Sequence, residues 1–198
     1  MAFEEKLWTI SNALSISRIV LMVPIVMLLF SAIPYHREYA VLVMLLALAT
    51  DALDGYFARR LNQVSDIGKI IDPLADKISV GVVIILLTLF GDVQLWYTAM
   101  VICRDVLIFS GGMYIRKRTG KVLSSNIYGK ITVVLIALTI IFALLRYPVF
   151  YDIFSVAKWS SVAMMVLSFA SYVQRFFSVV STDTKLLRYK DTKTQKII

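Results

Sequence analysis

Cysteine and histidine are nearly missing from this chain, which has one of each, Cys103 and His36, in 198 residues. With a single cysteine no intramolecular disulfide forms, and neither a disulfide scaffold nor a cysteine-based zinc site is available. Cys103 stands in an apolar stretch and reads as a small buried core residue, while His36, in a short connection, reads as solvated. Charge is scarce as well. Asp, Glu, Lys and Arg make up 17% of the chain, where a soluble domain carries about a quarter. Hydrophobic residues reach 59% and the mean hydropathy is +0.78. Such a composition excludes disorder, and a soluble core of this size would hardly absorb so much apolar surface. There is no internal repeat and no low-complexity tract. Glu4 and Glu5 near the start, and the lack of a small-residue cleavage site after the first apolar run, speak against a cleaved signal peptide.

What the chain has instead is long apolar runs. A helix crossing a bilayer core needs about 20 mostly apolar residues, and six stretches come close: Leu14–Ile33, Tyr39–Phe57, Ile70–Phe90, Val93–Ile115, Ile127–Leu145 and Ile153–Phe177. Pro34, Gly91-Asp92, Gly120 and Tyr147-Pro148 punctuate them. Thr9–Asn12 resembles a capped helix start, and Met1–Trp8 suits a short helix in the membrane interface. The expected fold is all-α: a polytopic membrane protein with six transmembrane helices and a short N-terminal interfacial helix. Residues 1–177 form the membrane domain, and 178–198 a polar, basic tail expected to be partly disordered or lipid-facing. Trp8, Trp96 and Trp159 fall near the ends of the apolar runs, where such rings gather. The scattered methionines read as packing.

The net charge of +8 does not point to nucleic acid, because the basic residues fall in short segments between apolar runs and not along one polar face. Attraction to anionic membrane lipids and membrane orientation account for them more simply. With six spans, both termini share a side with the second-to-third and fourth-to-fifth connections. That side holds Lys6, Arg18, Arg59, Arg60, Lys69, Arg116, Lys117, Arg118, Lys121, Lys130, Arg175 and the basic tail; the other holds Arg37, Arg146 and Lys158. By the positive-inside rule both termini are cytoplasmic.

The informative segment is Asp51–Lys77. Asp51 and Asp54 are three apart near the cytoplasmic end of the second span, and Asp72 and Asp76 are four apart near the start of the third. Each pair shares one helix face, and the short connection lets the two helices run antiparallel. Four carboxylates converging in a low-dielectric setting stay ionised only if cations neutralise them. Oxygen ligands without nearby His or Cys select hard cations, Mg²⁺ or Mn²⁺. Two ions per site would suit a phosphoryl-type displacement. Gly55, Ala58 and Gly68 leave room for a planar base and ribose, and Arg59 is placed to grip a phosphate. Pro73 is expected near the first turn of its helix. A single intramembrane aspartate would serve bundle packing equally well; four, paired at helical spacing, favour function. Glycines alone would say little, since small residues also serve helix packing.

The pattern Asp51-x-x-Asp54-Gly55-x-x-Ala58-Arg59, eight residues, Gly68-x-x-x-Asp72-x-x-x-Asp76 resembles the signature of the CDP-alcohol phosphotransferases at every position. The six-span layout extends the resemblance over most of the chain. It implies a homodimeric six-helix enzyme of phospholipid synthesis, with a dinuclear metal site opening to the cytoplasmic leaflet. It further implies CDP-diacylglycerol as donor and a hydroxyl acceptor, with release of CMP. The matching aspartates Asp51, Asp54 and Asp72 would bind metal, and Asp76 would double as ligand and catalytic base. Cytidine would lie against Gly55, Ala58 and Gly68, and Arg59 would contact the diphosphate.

The acceptor must be read from elsewhere. Arg104 lies midway along the fourth span, where an unpaired charge is costly, and should face a cavity. Its neighbour Asp105 points about 100° away on a helix and is an imperfect partner. A structural pair with an aspartate of another helix is the plainer alternative to an acceptor-phosphate ligand. Lys130, opening the fifth span, completes an anion pocket, whereas Arg116, Lys117, Arg118 and Lys121 read as a solvated basic loop. Ser11-Asn12-Ala13-Leu14-Ser15-Ile16-Ser17-Arg18 resembles the N-terminal stretch of the bacterial phosphatidylglycerophosphate synthases, and Asn62-Gln63 and Gly129-Lys130-Ile131-Thr132 also resemble that branch. Arg18 joins the acceptor candidates on this ground. Arg104-Asp105 followed by Gly111-Gly112 and a basic loop is as similar to cardiolipin synthases, which take phosphatidylglycerol. Inositol-phosphate acceptors stay open. The N-terminal stretch and the anion pocket favour glycerol 3-phosphate.

Two other classes of function fit the sequence less well. A small cation transporter would spread its carboxylates across membrane depth, whereas these four gather towards one face. A purely structural membrane subunit explains neither the paired spacing nor Arg59.

Overall fold

The computed structural model describes the backbone of residues 10–60, 68–119 and 126–195, and the side chains of 20–50, 77–119 and 126–181. Over the described residues the protein is all-α. Six helices follow one another: α1 Ile10–Phe30, α2 His36–Arg60, α3 Gly68–Leu89, α4 Leu95–Thr119, α5 Ile127–Leu145 and α6 Tyr151–Gln195, with a 3₁₀ turn at Pro148–Phe150. Each apolar stretch is a helix, and α5 has the expected limits. The interfacial helix expected at Met1–Trp8 lies outside the described residues. α1 starts at Ile10, so Ser11 and Asn12 stand inside it and not ahead of it.

Three stretches of the described residues, Leu95–Thr119, Ile127–Leu145 and Pro148–Ser181, are long and apolar enough to cross a membrane; Val20–Phe30 and Lys77–Leu89 are shorter apolar helices. Their outer faces carry large exposed apolar side chains, such as Met27, Leu89, Leu107 and Val156, the surface expected of helices that face lipid. The protein is thus built of apolar, membrane-type helices. Cys103 is exposed on α4, which corrects the buried position expected for it. In a helix that faces lipid, an apolar neighbourhood does not imply burial in protein. α6 also departs from expectation, since it continues unbroken well past Phe177 to Gln195. No Gly or Pro interrupts residues 178–195, so nothing stops a helix already nucleated by the apolar part.

The helix ends have local causes. α3 closes with Gly91 at φ 74°. The Gly91 N–H donates to the Thr88 carbonyl and that of Asp92 to the Leu87 carbonyl, the paired closure that needs a left-handed residue. After α5, Tyr147 is extended (φ −77°, ψ 134°), as the residue before a proline must be. Pro24 stays inside α1, a position that membrane helices tolerate better than soluble ones.

The described helices fall into two compact units, divided between Gln94 and Leu95, Thr139 and Ile140, and Asp152 and Ile153. In the first, α1 packs on α2 and α3, with Ile25, Leu29, Ala40, Val83, Ile84 and Leu87 in the core. In the second, α6 is stitched to α4 and α5 by polar contacts. The Tyr97 hydroxyl pairs with Ser161 Oγ at 2.7 Å, Thr132 Oγ1 donates to the Met164 carbonyl at 3.0 Å, and Asn126 Nδ2 to Ser171 Oγ at 3.0 Å. Ser161, Met164, Ser168 and Ser171 recur at the three-and-four spacing of one helix face. Small hydroxyl residues let membrane helices approach closely and bond across the gap.

Candidate active site

The motif residues fall on two helix ends. Asp51, Asp54, Gly55, Ala58 and Arg59 lie in the last turns of α2, and Gly68, Asp72 and Asp76 in the first turns of α3. The connection between them is residues 61–67. Both carboxylate pairs are therefore on helical backbone at the expected spacing; their side chains, and that of Arg18 on α1, lie outside the described residues. α3 begins at Gly68 itself, so Pro73 sits in the second turn and not the first, where it costs the helix one backbone hydrogen bond. Among the described residues no group of three or more His, Cys, Asp or Glu is arranged to hold a metal.

At the opposite ends of α2 and α3 stands an ion-pair cluster that sequence reasoning missed. Asp92 is 1% exposed and receives Arg37 Nη1 at 2.9 Å together with Arg146 Nε. Arg146 Nη2 also donates to the Phe90 carbonyl at 2.9 Å, and the Tyr147 hydroxyl donates to Glu38. The connections after α1, α3 and α5 are thereby tied together in the first unit. The paired glycine closure that sets Asp92 in place was legible in Gly91-Asp92; its two arginines, 55 and 54 residues away, were not.

In the second unit Arg104 is 10% exposed. Its Nη1 donates to Asp105 Oδ1 at 2.5 Å and its Nη2 to Ser168 Oγ at 2.9 Å, while Nε is buried without a hydrogen-bond partner among the described residues. This corrects the view of Asp105 as an imperfect partner, since the long flexible arm of arginine folds back across the 100° that separates the two Cβ directions. No aspartate of another helix pairs with Arg104 among the described residues. Lys130 is exposed on the first turn of α5. Asn126 caps that helix, its Oδ1 accepting the Gly129 N–H at 2.7 Å; an asparagine just ahead of an apolar run is the sequence signal for such a cap. Arg116, Lys117 and Arg118 close α4, where positive charge complements the helix dipole, and Arg118 bonds the Tyr114 hydroxyl one turn back at 3.2 Å. Lys121 lies outside the described residues.

Comparison with known proteins bears on the same residues. Residues 8–173 match the family model described as CDP-alcohol phosphatidyltransferase. The CDP-diacylglycerol–glycerol-3-phosphate 3-phosphatidyltransferase of Bacillus subtilis is 29% identical over 197 residues, covering 89% of this chain and 99% of that protein. The enzyme of the same name from Aquifex aeolicus is 37% identical over 134 residues, 67% of this chain and 73% of that one. Human cardiolipin synthase (CMP-forming) is 40% identical over 116 residues, 58% of this chain but 38% of that protein. The matched range contains both aspartate pairs, the whole of α1 to α5 and the first half of α6. With an uninterrupted motif on two helix ends and a family match over most of its length, the chain belongs to the CDP-alcohol phosphatidyltransferase family.

Proposed function

We propose that this enzyme transfers the phosphatidyl group of CDP-diacylglycerol to glycerol 3-phosphate, giving phosphatidylglycerophosphate and CMP. The observation that carries the reading is the coincidence of one motif with the end of α2 and the start of α3. Arg37 and Asp92 meet, so α2 and α3 run antiparallel from a common end. Counting from Arg37 to Asp54, and from Leu89 back to Asp72, each takes about 26 Å of helix. This supports carboxylates converging from both helices. Their all-oxygen donor set fits two Mg²⁺ or Mn²⁺ ions, which when bound would neutralise the diphosphate and polarise the attacked phosphorus.

The chain's own residues then divide the work. Asp51, Asp54 and Asp72 are metal ligands. Asp76, a ligand too, takes the proton of the acceptor hydroxyl as the new oxygen–phosphorus bond forms and the bond to the CMP oxygen breaks. Gly55, Ala58 and Gly68 leave space for cytidine, and Arg59 grips the diphosphate. Arg104, Lys130 and Arg18 hold the acceptor phosphate. In the same reading the six helices are six spans of a cytoplasmic membrane, both termini and the active site face the cytoplasm, and two copies form a homodimer. Residues 1–177 are the membrane domain, and 178–198 a basic cytoplasmic tail that prolongs α6.

The Bacillus subtilis and Aquifex aeolicus relatives, named for glycerol 3-phosphate, support this acceptor, and these two cover more of the chain than human cardiolipin synthase does. The likeness to the latter keeps phosphatidylglycerol as the second reading. The test is CMP release by purified protein in detergent with CDP-diacylglycerol and Mg²⁺, run side by side with glycerol 3-phosphate, phosphatidylglycerol and inositol phosphate. CMP with glycerol 3-phosphate alone is expected. CMP with phosphatidylglycerol instead moves the enzyme to the second reading, and none with any acceptor sinks the transferase. Asp76→Asn should abolish turnover; retained activity removes Asp76 from the base role.

A further inference from the structure

An arginine inside an apolar helix has five N–H donors to settle. Arg104 settles them unevenly. Asp105 takes one on Nη1 and Ser168 one on Nη2, and the buried Nε has none among the described residues. Nε and Nη2 form the side-on edge with which a guanidinium grips two oxygens of one phosphate. Ser168 Oγ, 2.9 Å from Nη2 and on a side chain that is 2% exposed, therefore fixes how that edge is turned. The turn of α6 that carries it is itself held, because Asn126, the cap of α5, bonds Ser171 at 3.0 Å. α5 comes close enough that a Cβ on Gly129 would stand 3.6 Å from Ser168 Oγ and 3.7 Å from Arg104 Nη2.

We propose that Ser168 is a positioning residue for acceptor binding: its hydroxyl orients Arg104 so that the Nε–Nη2 edge faces the acceptor's phosphate. The proposal rests on the reading of Arg104 as an acceptor ligand. Without Ser168 the guanidinium keeps its charge and its Asp105 partner but loses its fixed rotation, so the acceptor binds more weakly while the donor is unaffected. A hydroxyl that merely packs α4 against α6 would change stability and leave that selectivity alone.

The experiment measures CMP release at varied glycerol 3-phosphate with saturating CDP-diacylglycerol, and the converse, for wild type, Ser168→Ala, Ser168→Thr and Arg104→Gln. Loss of a hydrogen bond to a charged group predicts an acceptor KM about tenfold higher for Ser168→Ala. The donor KM should stay within about twofold, with recovery in Ser168→Thr, which keeps the hydroxyl. Ser168→Cys, with a weaker acceptor atom, serves the same comparison if the alanine variant does not fold. An unchanged acceptor KM in Ser168→Ala, with a raised one in Arg104→Gln, overturns the positioning role and leaves Arg104 in place. Equal rises in both KM values overturn it as well. An unchanged acceptor KM in Arg104→Gln removes the ligand role of Arg104 and the proposal with it.

Discussion

Gly111 on α4 faces Tyr172 so closely that a Cβ there would stand 2.6 Å from the tyrosine hydroxyl and 3.2 Å from its ring. That hydroxyl is buried and has no hydrogen-bond partner among the described residues. The two facts make a paired prediction. Gly111→Ala must push the ring aside and should lower stability by about 1–3 kcal/mol, the usual cost of overpacking. Tyr172→Phe removes a polar atom that gains nothing where it sits, and should be neutral or slightly stabilising. Placed together, the second change should recover much of the loss from the first, because the atom that clashes is gone. Thermal unfolding in detergent of the two single variants and the double reads the coupling. Strict additivity would show that Tyr172 does not hold its place against Gly111. Asp92 is the second residue whose environment sets an expectation. It is buried between two arginines, of which Arg37 is 16% and Arg146 51% exposed. Asp92→Ala strands a largely buried Arg37 and should cost about 3 kcal/mol or more, whereas Arg146→Gln removes an exposed partner worth about 1 kcal/mol or less. The same unfolding measurement ranks them, and an equal cost would deny the cluster its buried half.

At the level of elements, the connections behave as small structures with their own chemistry. The Tyr147 hydroxyl, followed by the Glu38 backbone amide, holds the Glu38 carboxyl below the usual carboxylate range, against a smaller opposing effect of burial. A carboxyl whose folded pKa is depressed adds stability above its unfolded pKa and loses it as pH falls through the folded one. Tyr147→Phe should therefore lower the melting temperature near neutrality, and the gap from wild type should close as pH falls through the carboxylate range. A gap independent of pH would assign the effect to ring packing. These contacts also mark what could be read in the sequence. All six helices were legible because each contains a long apolar run, and the breaks at Pro34, Gly91 and Pro148 because those residues constrain the backbone wherever they occur. The aspartate pairs were legible as helix faces because three-and-four spacing needs no tertiary knowledge. Partners distant in sequence were not: Arg37 with Asp92 and Arg146, or Arg104 with Ser168, 64 residues on. Nothing local distinguishes Ser168 from the other serines of α6. Only the fold decides which serine meets the arginine.

For the whole molecule, the decisive question is which ends of the helices share a side of the membrane. The ion-pair cluster gathers the connections after α1, α3 and α5 at one end of the first unit, so Tyr35 and Val149 must be reached from the same side. α6 runs from Tyr151 through Ser181, about 45 Å of helix against a hydrocarbon core of about 30 Å, so the proposed six-span reading expects Ser181 on the other side. In the proposed orientation, drawn from the lysine and arginine bias, that second side is the cytoplasm. Single-cysteine variants turn this into a measurement. In a Cys103→Ser background, Tyr35→Cys and Val149→Cys should react with a membrane-impermeant maleimide in sealed spheroplasts of the expressing cells. Ser181→Cys should react only after lysis. All three positions are exposed, so protection reports the membrane and not burial in protein. Labelling of Tyr35→Cys and Val149→Cys from opposite sides would break the six-span arrangement itself. Labelling of all three in reverse would keep the arrangement and invert the enzyme, putting both aspartate pairs on the face away from the cytoplasm. An active site there would meet no cytoplasmic glycerol 3-phosphate, so this one experiment bears on the acceptor as directly as on the topology.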